Sequence, residues 1–275
     1  MDLLLALKAA VMGLVEGATE FLPISSTGHL ILAGDLLNFM SPNQRNVFGI
    51  AIQLGAILAV VWEYRSRFYR TFAGLGRDAV ANRLIINLSI AFMPLAILGL
   101  IFGSQIKALL FKPIPVALAF IVGALFILWA EKRQHSITIQ MVDDIKPRDA
   151  LKLGLAQAVA LIPGMSRSGA TIIGGLFFGL SRQAAAEFSF FLAVPTLGIA
   201  SIYSMVKDSA FINVEDIGAW AIGFIFAFIS AIFAVRALIR YVSHHDFTIF
   251  AWYRIVFGII VLFTAYTGLV NWSVS

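Results

Sequence analysis

Cysteine is absent from the chain, which excludes disulfides and thiolate catalysis and leaves the redox compartment undetermined. Charge is scarce as well: Asp, Glu, Lys and Arg make up 13% of the residues, about half the share of a soluble domain. No P-loop lysine motif occurs, which argues against nucleotide-driven chemistry. His29 stands alone in its segment and no His-x-x-x-His pair is present, so there is no zinc signature. A secretory leader is not expected, because the N-terminus carries Asp2, lacks a basic stretch and reaches Glu16 after one short apolar run.

What fills the chain instead is apolar. Hydrophobic residues make up 60% of the 275 residues and the mean hydropathy is +0.91. The length is therefore better counted in membrane spans of about 20 residues than in soluble domains. Six stretches can span, at about 47–64, 84–102, 113–130, 184–206, 217–239 and 247–269, several with Trp or Tyr near an end. The net charge of +5 fits the positive-inside pattern better than nucleic-acid binding. Arg65, Arg67, Arg70, Arg77 and Arg83 follow the first span, and Lys107 and Lys112 the second. Lys132, Arg133, Lys146, Arg148 and Lys152 follow the third, and Arg236 and Arg240 close the fifth. The loop after the fourth sets Lys207 against Asp208, Glu215 and Asp216. Rich and poor loops alternate; assigning the rich ones to the cytoplasm puts both termini outside.

Two more apolar segments, 3–37 and 151–180, are interrupted. One breaks at Leu22-Pro23-Ile24-Ser25-Ser26-Thr27-Gly28-His29, the other at Ile162-Pro163-Gly164-Met165-Ser166-Arg167-Ser168-Gly169. Pro and Gly end helices, and each remaining arm is too short to cross a bilayer. Each segment is expected to be a re-entrant hairpin. The segments also correspond at a shift of about 140 residues: Gly13-Leu14-Val15-Glu16 resembles Gly154-Leu155-Ala156-Gln157, and Ser25-Ser26-Thr27-Gly28 resembles Ser166-Arg167-Ser168-Gly169. The expected fold is a single all-α polytopic membrane domain built as an inverted repeat. Each half, about 1–133 and about 148–272, is a re-entrant helix hairpin plus three transmembrane helices. Three spans per repeat is odd, so the second half is inverted and the two breaks meet near the midplane.

Chemistry concentrates at the breaks. Glu16 and Glu20 lie four apart on one helical face. Unless this arm is shallow and wet, two intramembrane carboxylates need a cation, a metal ion, a shared proton or a water-filled cavity, because each costs roughly 2.5–3.5 kcal/mol on insertion scales. A helix beginning near Ser26 offers free backbone N–H groups to an anion. Ser26 then reads as a nucleophile with His29 as base or acid, or equally as an N-cap serine beside a hydrogen-bonded histidine. Arg167 among Ser166, Ser168, Gly169 and Thr171 combines three phosphate-binding devices: a bidentate guanidinium, an amide nest and hydroxyl donors. It also suits the neutralisation of Glu16 or Glu20, and the two roles are compatible. Gln53 and Arg254 are secondary candidates for the same cavity, with Ser25 and Thr27. Arg254 alternatively snorkels to the interface, and Glu187 alternatively stabilises its own helix start. Asp35, His135, His244 and His245 read as interfacial or loop residues. Paired carboxylates suit a hard ion, Mg²⁺ or Ca²⁺.

These residues resemble the bacterial undecaprenyl-diphosphate phosphatases, also called bacitracin-resistance proteins. A Glu-x-x-x-Glu helix leading into Pro-x-Ser-Ser-Thr-Gly-His matches Glu16 to His29, and Pro-Gly-x-Ser-Arg-Ser-Gly-x-Thr matches Pro163 to Thr171. Ala185-Ala186-Glu187-Phe188-Ser189-Phe190 is also family-like. The resemblance covers essentially the whole chain. It implies removal of the terminal phosphate from undecaprenyl diphosphate, which regenerates the carrier for peptidoglycan synthesis and confers bacitracin resistance. It also implies dependence on a divalent cation and an inverted-repeat fold in the inner membrane. Carried over, Ser26 looks like the nucleophile, Glu20 and His29 the acid–base or metal-linked partners, and Arg167 the phosphate clamp. Glu16, Ser166, Ser168 and Thr171 complete the pocket. The tail is expected to stay in lipid and hydrolysis to occur on the outer, periplasmic face. Membrane lipids are expected partners, nucleic acid is not, and a homodimer is left open. The rival reading from another class is a transporter or flippase of the polyprenyl phosphate carrier. An ion channel accounts poorly for the Ser-Arg-Ser motif.

Overall fold

The computed structural model describes residues 2–133, 136–207, 214–270 and 272; His135 and Asp208 lie outside the described residues. Within them the chain forms eleven α-helices, and the only β feature is an isolated bridge between Ile139 and Leu180. In chain order the helices are α1 (Leu3–Thr19), α2 (Ser26–Leu36), α3 (Pro42–Glu63), α4 (Arg65–Ala73), α5 (Ala79–Leu110), α6 (Pro113–Lys132), α7 (Pro147–Ala158), α8 (Arg167–Phe177), α9 (Arg182–Lys207), α10 (Ile217–Val242) and α11 (Thr248–Thr267). Six of them, α3, α5, α6, α9, α10 and α11, are long and apolar enough to cross a membrane, one for each expected stretch. This is a multi-pass membrane protein. The arginine-rich stretch after α3, expected as a loop, is partly helical: α4 carries Arg65, Arg67 and Arg70.

Local chemistry sets the boundaries. Proline opens α3, α6 and α7, where its missing N–H costs no helical bond. Asp2 and Asp78 cap α1 and α5 by accepting from Leu4 N and Val80 N. Gly268, left-handed with φ 69°, ends α11. Pro94 and Pro195 lie inside α5 and α9; neighbouring helices allow this in membrane folds.

The two interrupted segments are those expected. The first gives α1, of 17 residues, and α2, of 11. The second gives α7, of 12 residues, and α8, of 11. At 1.5 Å per residue even the longest arm extends about 25 Å, short of a hydrocarbon core of about 30 Å. Each first arm packs closely on a long helix through a glycine. A Cβ on Gly13 of α1 would lie 2.2 Å from Gly223 O of α10, and one on Gly154 of α7 would lie 2.5 Å from Ala91 O of α5. Without a side chain there, the backbones approach as small-residue membrane interfaces do. The further packing partners are α6 with α11, and α3 with both α9 and α10. The core between them is rich in phenylalanine, with Phe21, Phe188, Phe190 and Phe247 fully buried.

Candidate functional site

The two breaks meet. Glu20, the residue that ends α1, accepts a hydrogen bond from the Ser26 hydroxyl on Oε2 at 2.5 Å. On Oε1 it accepts from Arg167 Nη2 at 3.2 Å, a buried ion pair. Hydroxyl, carboxylate and guanidinium thus form one continuous chain across the junction. Ser168 Oγ donates to the Leu22 carbonyl at 2.7 Å and ties the same segments together again. Arg167 is held from the other side by Ser189, whose carbonyl and hydroxyl accept from Nη1 at 2.9 and 3.2 Å, and its guanidinium sits over the Phe21 ring. Ser189 belongs to the family-like stretch noted above but carries no separate signal in the sequence.

Ser26 and Arg167 occupy the first turns of α2 and α8, as the sequence placed them. The residues just before them share an unusual backbone: Ser25 has φ 68° and ψ 106°, and Ser166 has φ 70° and ψ 118°. Positive φ at a non-glycine residue costs on the order of 1–3 kcal/mol and persists only where surrounding contacts enforce it. Here it turns the chain sharply so that the next side chain projects into the junction.

A cavity opens there with two adjoining lobes. The deeper, of about 170 Å³, is lined by Glu20, Ser25, Ser26, Ser166 and Arg167 among others. The outer lobe, of about 400 Å³, is lined by Glu16, Asp35, Arg45, Lys107 and apolar residues such as Leu30. Ser26, Thr27, Gln53 and Phe111 border both. Ser201 donates to Gln53 Oε1 at 3.0 Å. Asp35, read from the sequence as an interfacial residue, is part of this wall. Arg45 and Lys107 join it from α3 and the end of α5, and nothing in their local sequence marks them.

Three buried polar atoms at the junction have no hydrogen-bond partner: Arg167 Nε and both carboxylate oxygens of Glu16. Glu16 is 1% exposed and stands beside Glu20, Arg167 and Ser26. The single Ser26 proton goes to Glu20. A buried polar group left unpaired costs about 1–3 kcal/mol, and here one donor and two acceptors stand together without a partner.

Other sequence candidates are placed elsewhere. His29 does not face Ser26. Its Nδ1 lies 2.7 Å from the Ser25 carbonyl and its Nε2 lies 2.7 Å from the Tyr253 hydroxyl, so Glu20, not His29, holds the nucleophile candidate. Arg254, expected on substrate phosphate, has every N–H engaged. Nε donates to Phe120 O, Nη1 to Pro23 O and Met165 O, and Nη2 to Ala119 O and Gly164 O, all between 2.9 and 3.2 Å. At 1% exposure it neither snorkels nor binds ligand; it satisfies carbonyls freed at both breaks and joins them to α6. Thr171 donates to its own helix, to Arg167 O, and Ser168 is spent on Leu22. Neither reaches the cavity. Glu187 accepts from Gln183 one turn away on α9, outside the site.

Fold and site together define a class: a helical multi-pass membrane protein with a serine–carboxylate–arginine centre buried between two broken helix pairs. The chain matches the family described as bacitracin resistance protein BacA over residues 9–260, and it belongs to that family. It is 63% identical over 273 residues to Undecaprenyl-diphosphatase 2 of Rhodospirillum rubrum, covering 99% of this chain and 100% of that one. It is 62% identical over 273 residues to the Undecaprenyl-diphosphatase of Dechloromonas aromatica, covering 99% of each. It is 61% identical over 263 residues to Undecaprenyl-diphosphatase 1 of Chromobacterium violaceum, covering 96% of this chain and 97% of that one.

Proposed function

We propose that this chain hydrolyses undecaprenyl diphosphate to undecaprenyl phosphate and inorganic phosphate. The observation that carries the reading is the unbroken contact Ser26–Glu20–Arg167, set beside the open donor of Arg167 and the open acceptors of Glu16. Family membership and the names of the relatives support it.

The terminal phosphoryl group occupies the deeper lobe, where Arg167 Nε and the first-turn amides of α2 and α8 face its oxygens. Charge stabilisation of this kind supplies most of the catalysis in phosphoryl transfer. Ser26 Oγ attacks phosphorus while Glu20 takes its proton. The bond to the bridging oxygen breaks, and undecaprenyl phosphate leaves. The proton on Glu20 passes to the departing phosphate. Glu20 then deprotonates a water that attacks the phosphoserine, and returns that proton to Ser26 as phosphate leaves. The apolar tail stays in lipid throughout, which gives a membrane fold its purpose here.

The residues fit a divalent cation, Mg²⁺ or Ca²⁺. Glu16 offers two unpaired oxygens, but no group of three His, Asp or Glu side chains gathers among the described residues. A hard ion would thus be held by Glu16, assisted by Glu20, with substrate phosphate and water completing its shell, as Mg²⁺ prefers. Such an ion supplies neutralisation of charge on the phosphate oxygens.

The same reading includes an inverted duplication. Exchanging α1 with α7 and α5 with α10 maps the α1–α10 packing onto α7–α5. Gly13 then falls on Gly154 and the Ser25 turn on the Ser166 turn. With re-entrant hairpins entering from opposite faces and charge-rich loops inside, both termini lie outside and the cavity opens to the periplasmic side of the plasma membrane. There the reaction would recycle the carrier for peptidoglycan synthesis and confer bacitracin resistance. Purified protein in detergent with Mg²⁺ and undecaprenyl diphosphate should release inorganic phosphate. A carrier that only translocates the lipid releases none, so a null result in that assay favours the flippase.

A further inference from the structure

The backbone at Ser25 is held differently from its counterpart at Ser166. Ser166 is secured locally: its carbonyl accepts from Ala170 N at 2.9 Å and its hydroxyl from Gly169 N at 3.1 Å. Ser25 makes no side-chain cap. Its carbonyl is gripped instead by the His29 ring at 2.7 Å. A carbonyl can only accept, so Nδ1 carries the proton, and in the neutral ring Nε2 is left as the acceptor for the Tyr253 hydroxyl at 2.7 Å. The imidazole is clamped in place by aromatic rings. Phe257 stacks on it with centroids 3.9 Å apart and Phe120 packs beside it at 6.0 Å, while the Tyr253 ring lies nearly parallel at 10°. His29 borders neither lobe of the cavity.

Tyr253 comes from α11, far along the chain from the break, and immediately precedes Arg254. Consecutive residues of one helix thus reach the breaks: Arg254 reaches both through the carbonyls of Pro23, Gly164 and Met165, and Tyr253 reaches the first through one histidine. Tyr253 is 43% exposed, so its hydroxyl is not needed to fill a core. Its one described hydrogen bond is the one to His29.

We infer that Tyr253 is a positioning residue for the phosphoryl transfer proposed above. Its hydroxyl anchors the His29 ring through Nε2, and His29 holds through the Ser25 carbonyl the positive-φ turn that aims Ser26 at Glu20. The inference rests on the hydrolase reading for its kinetic part and on the geometry alone for its spectroscopic part.

Tyr253→Phe removes the hydroxyl and keeps the ring. Purified variant should lose about tenfold in kcat for phosphate release, with KM within about twofold and an unchanged thermal midpoint. In a His29→Ala background the same change should add nothing, since Tyr253 acts only through His29. His29→Asn, which keeps an amide donor near Ser25, should retain more activity than His29→Ala. Wild-type kcat in Tyr253→Phe, or losses that multiply in the double variant, would overturn the inference, as would a loss confined to KM or accompanied by a lowered midpoint. In ¹⁵N-histidine-labelled protein, the His29 resonances should report an Nδ1–H tautomer, with an Nε2 shift that moves in Tyr253→Phe as its hydrogen bond is lost; an unmoved Nε2 shift would overturn the inference. An Nε2–H tautomer in the wild type defeats the proposal whatever the kinetics. Absence of phosphate release by the wild type defeats the hydrolase reading instead, and the tautomer measurement still decides this one.

Discussion

The two breaks use one backbone device for opposite chemistries. Each leads through a serine at φ near 70° into a helix of 11 residues. At the first helical position one carries Ser26 and the other Arg167; one turn or more upstream, one arm carries Glu16 where the other carries Gln157. The difference in satisfaction is sharper than the difference in charge. Gln157 is fully buried, with its NH₂ directed to Ala91 O at 3.5 Å and its oxygen accepting from Thr196 at 3.3 Å. Glu16 is equally buried and both its oxygens are open. A glutamine with both ends engaged completes one side, and a carboxyl group with neither oxygen engaged stands on the other. The same turn thus occurs twice, and only the junction brings a serine hydroxyl from one break and a guanidinium from the other to a single carboxylate.

Removing the nucleophile should have the largest effect. Ser26→Ala is expected to lower turnover by at least about 10³-fold while lipid diphosphate still binds, because the base and the clamp remain without an atom to attack phosphorus. Phosphate release at the wild-type rate would eliminate the covalent route. Binding by the inactive variant is checked with labelled lipid diphosphate.

Arg167→Lys keeps the charge of the second break and loses its fork. Since Nη1 and Nη2 serve Ser189 and Glu20 separately, an ammonium cannot replace them. The expected loss is about 10²-fold in kcat, the range for removing one preorganised donor, and an unchanged rate would count against the clamp. Arg167→Ala is a different experiment. It strands Glu20 in the bilayer and should destabilise the fold by about 3–5 kcal/mol, seen as poor recovery from membranes.

Glu16→Gln gives the first break the neutral residue of the second. Loss of the open carboxylate should raise the Mg²⁺ concentration needed for half-maximal activity by about tenfold or more. The fold should be about as stable, because a carboxyl group without a hydrogen-bond partner is exchanged for an amide of the same shape. A titration of activity against Mg²⁺, with thermal unfolding alongside, reads both. An unaltered Mg²⁺ requirement would free Glu16 from any metal role.

Much of this was legible in the sequence, and the reasons differ by element. The six long helices follow from hydropathy, since a run of about 20 apolar residues has few alternatives to spanning. The breaks follow from Pro23 and Pro163 beside Ser and Gly, and the start of α8 falls on Arg167 itself. The side chains of the site were less legible, because within one short helix residue type does not decide direction. Ser168 and Thr171 look like phosphate donors by spacing, yet one turns to Leu22 and the other to its own helix. Arg254 looks like spare positive charge until five carbonyls from three segments are seen around it. Asp35 reads as interfacial because its place in the cavity wall depends on α3 and α5. His29 reads as a base because only α11, more than two hundred residues away, shows what occupies its second nitrogen.

The mirror of Glu16→Gln is Gln157→Glu, and it should have the smallest effect on chemistry. The new carboxylate would sit where Gln157 now donates to Ala91 O and accepts from Thr196. One of these bonds survives and the other becomes a repulsion between oxygens. An intramembrane acid costs about 2.5–3.5 kcal/mol at a helix centre, and Gln157 lines neither lobe of the cavity described above. The variant should therefore unfold at lower temperature while its folded fraction keeps kcat and KM within about twofold and its Mg²⁺ requirement unchanged. If Gln157→Glu instead created a second Mg²⁺-dependent response, the contrast between the breaks would lie in their residues alone. If it proved as stable as the wild type, the second arm would have to be wet, and its neutral glutamine would no longer mark it as scaffold.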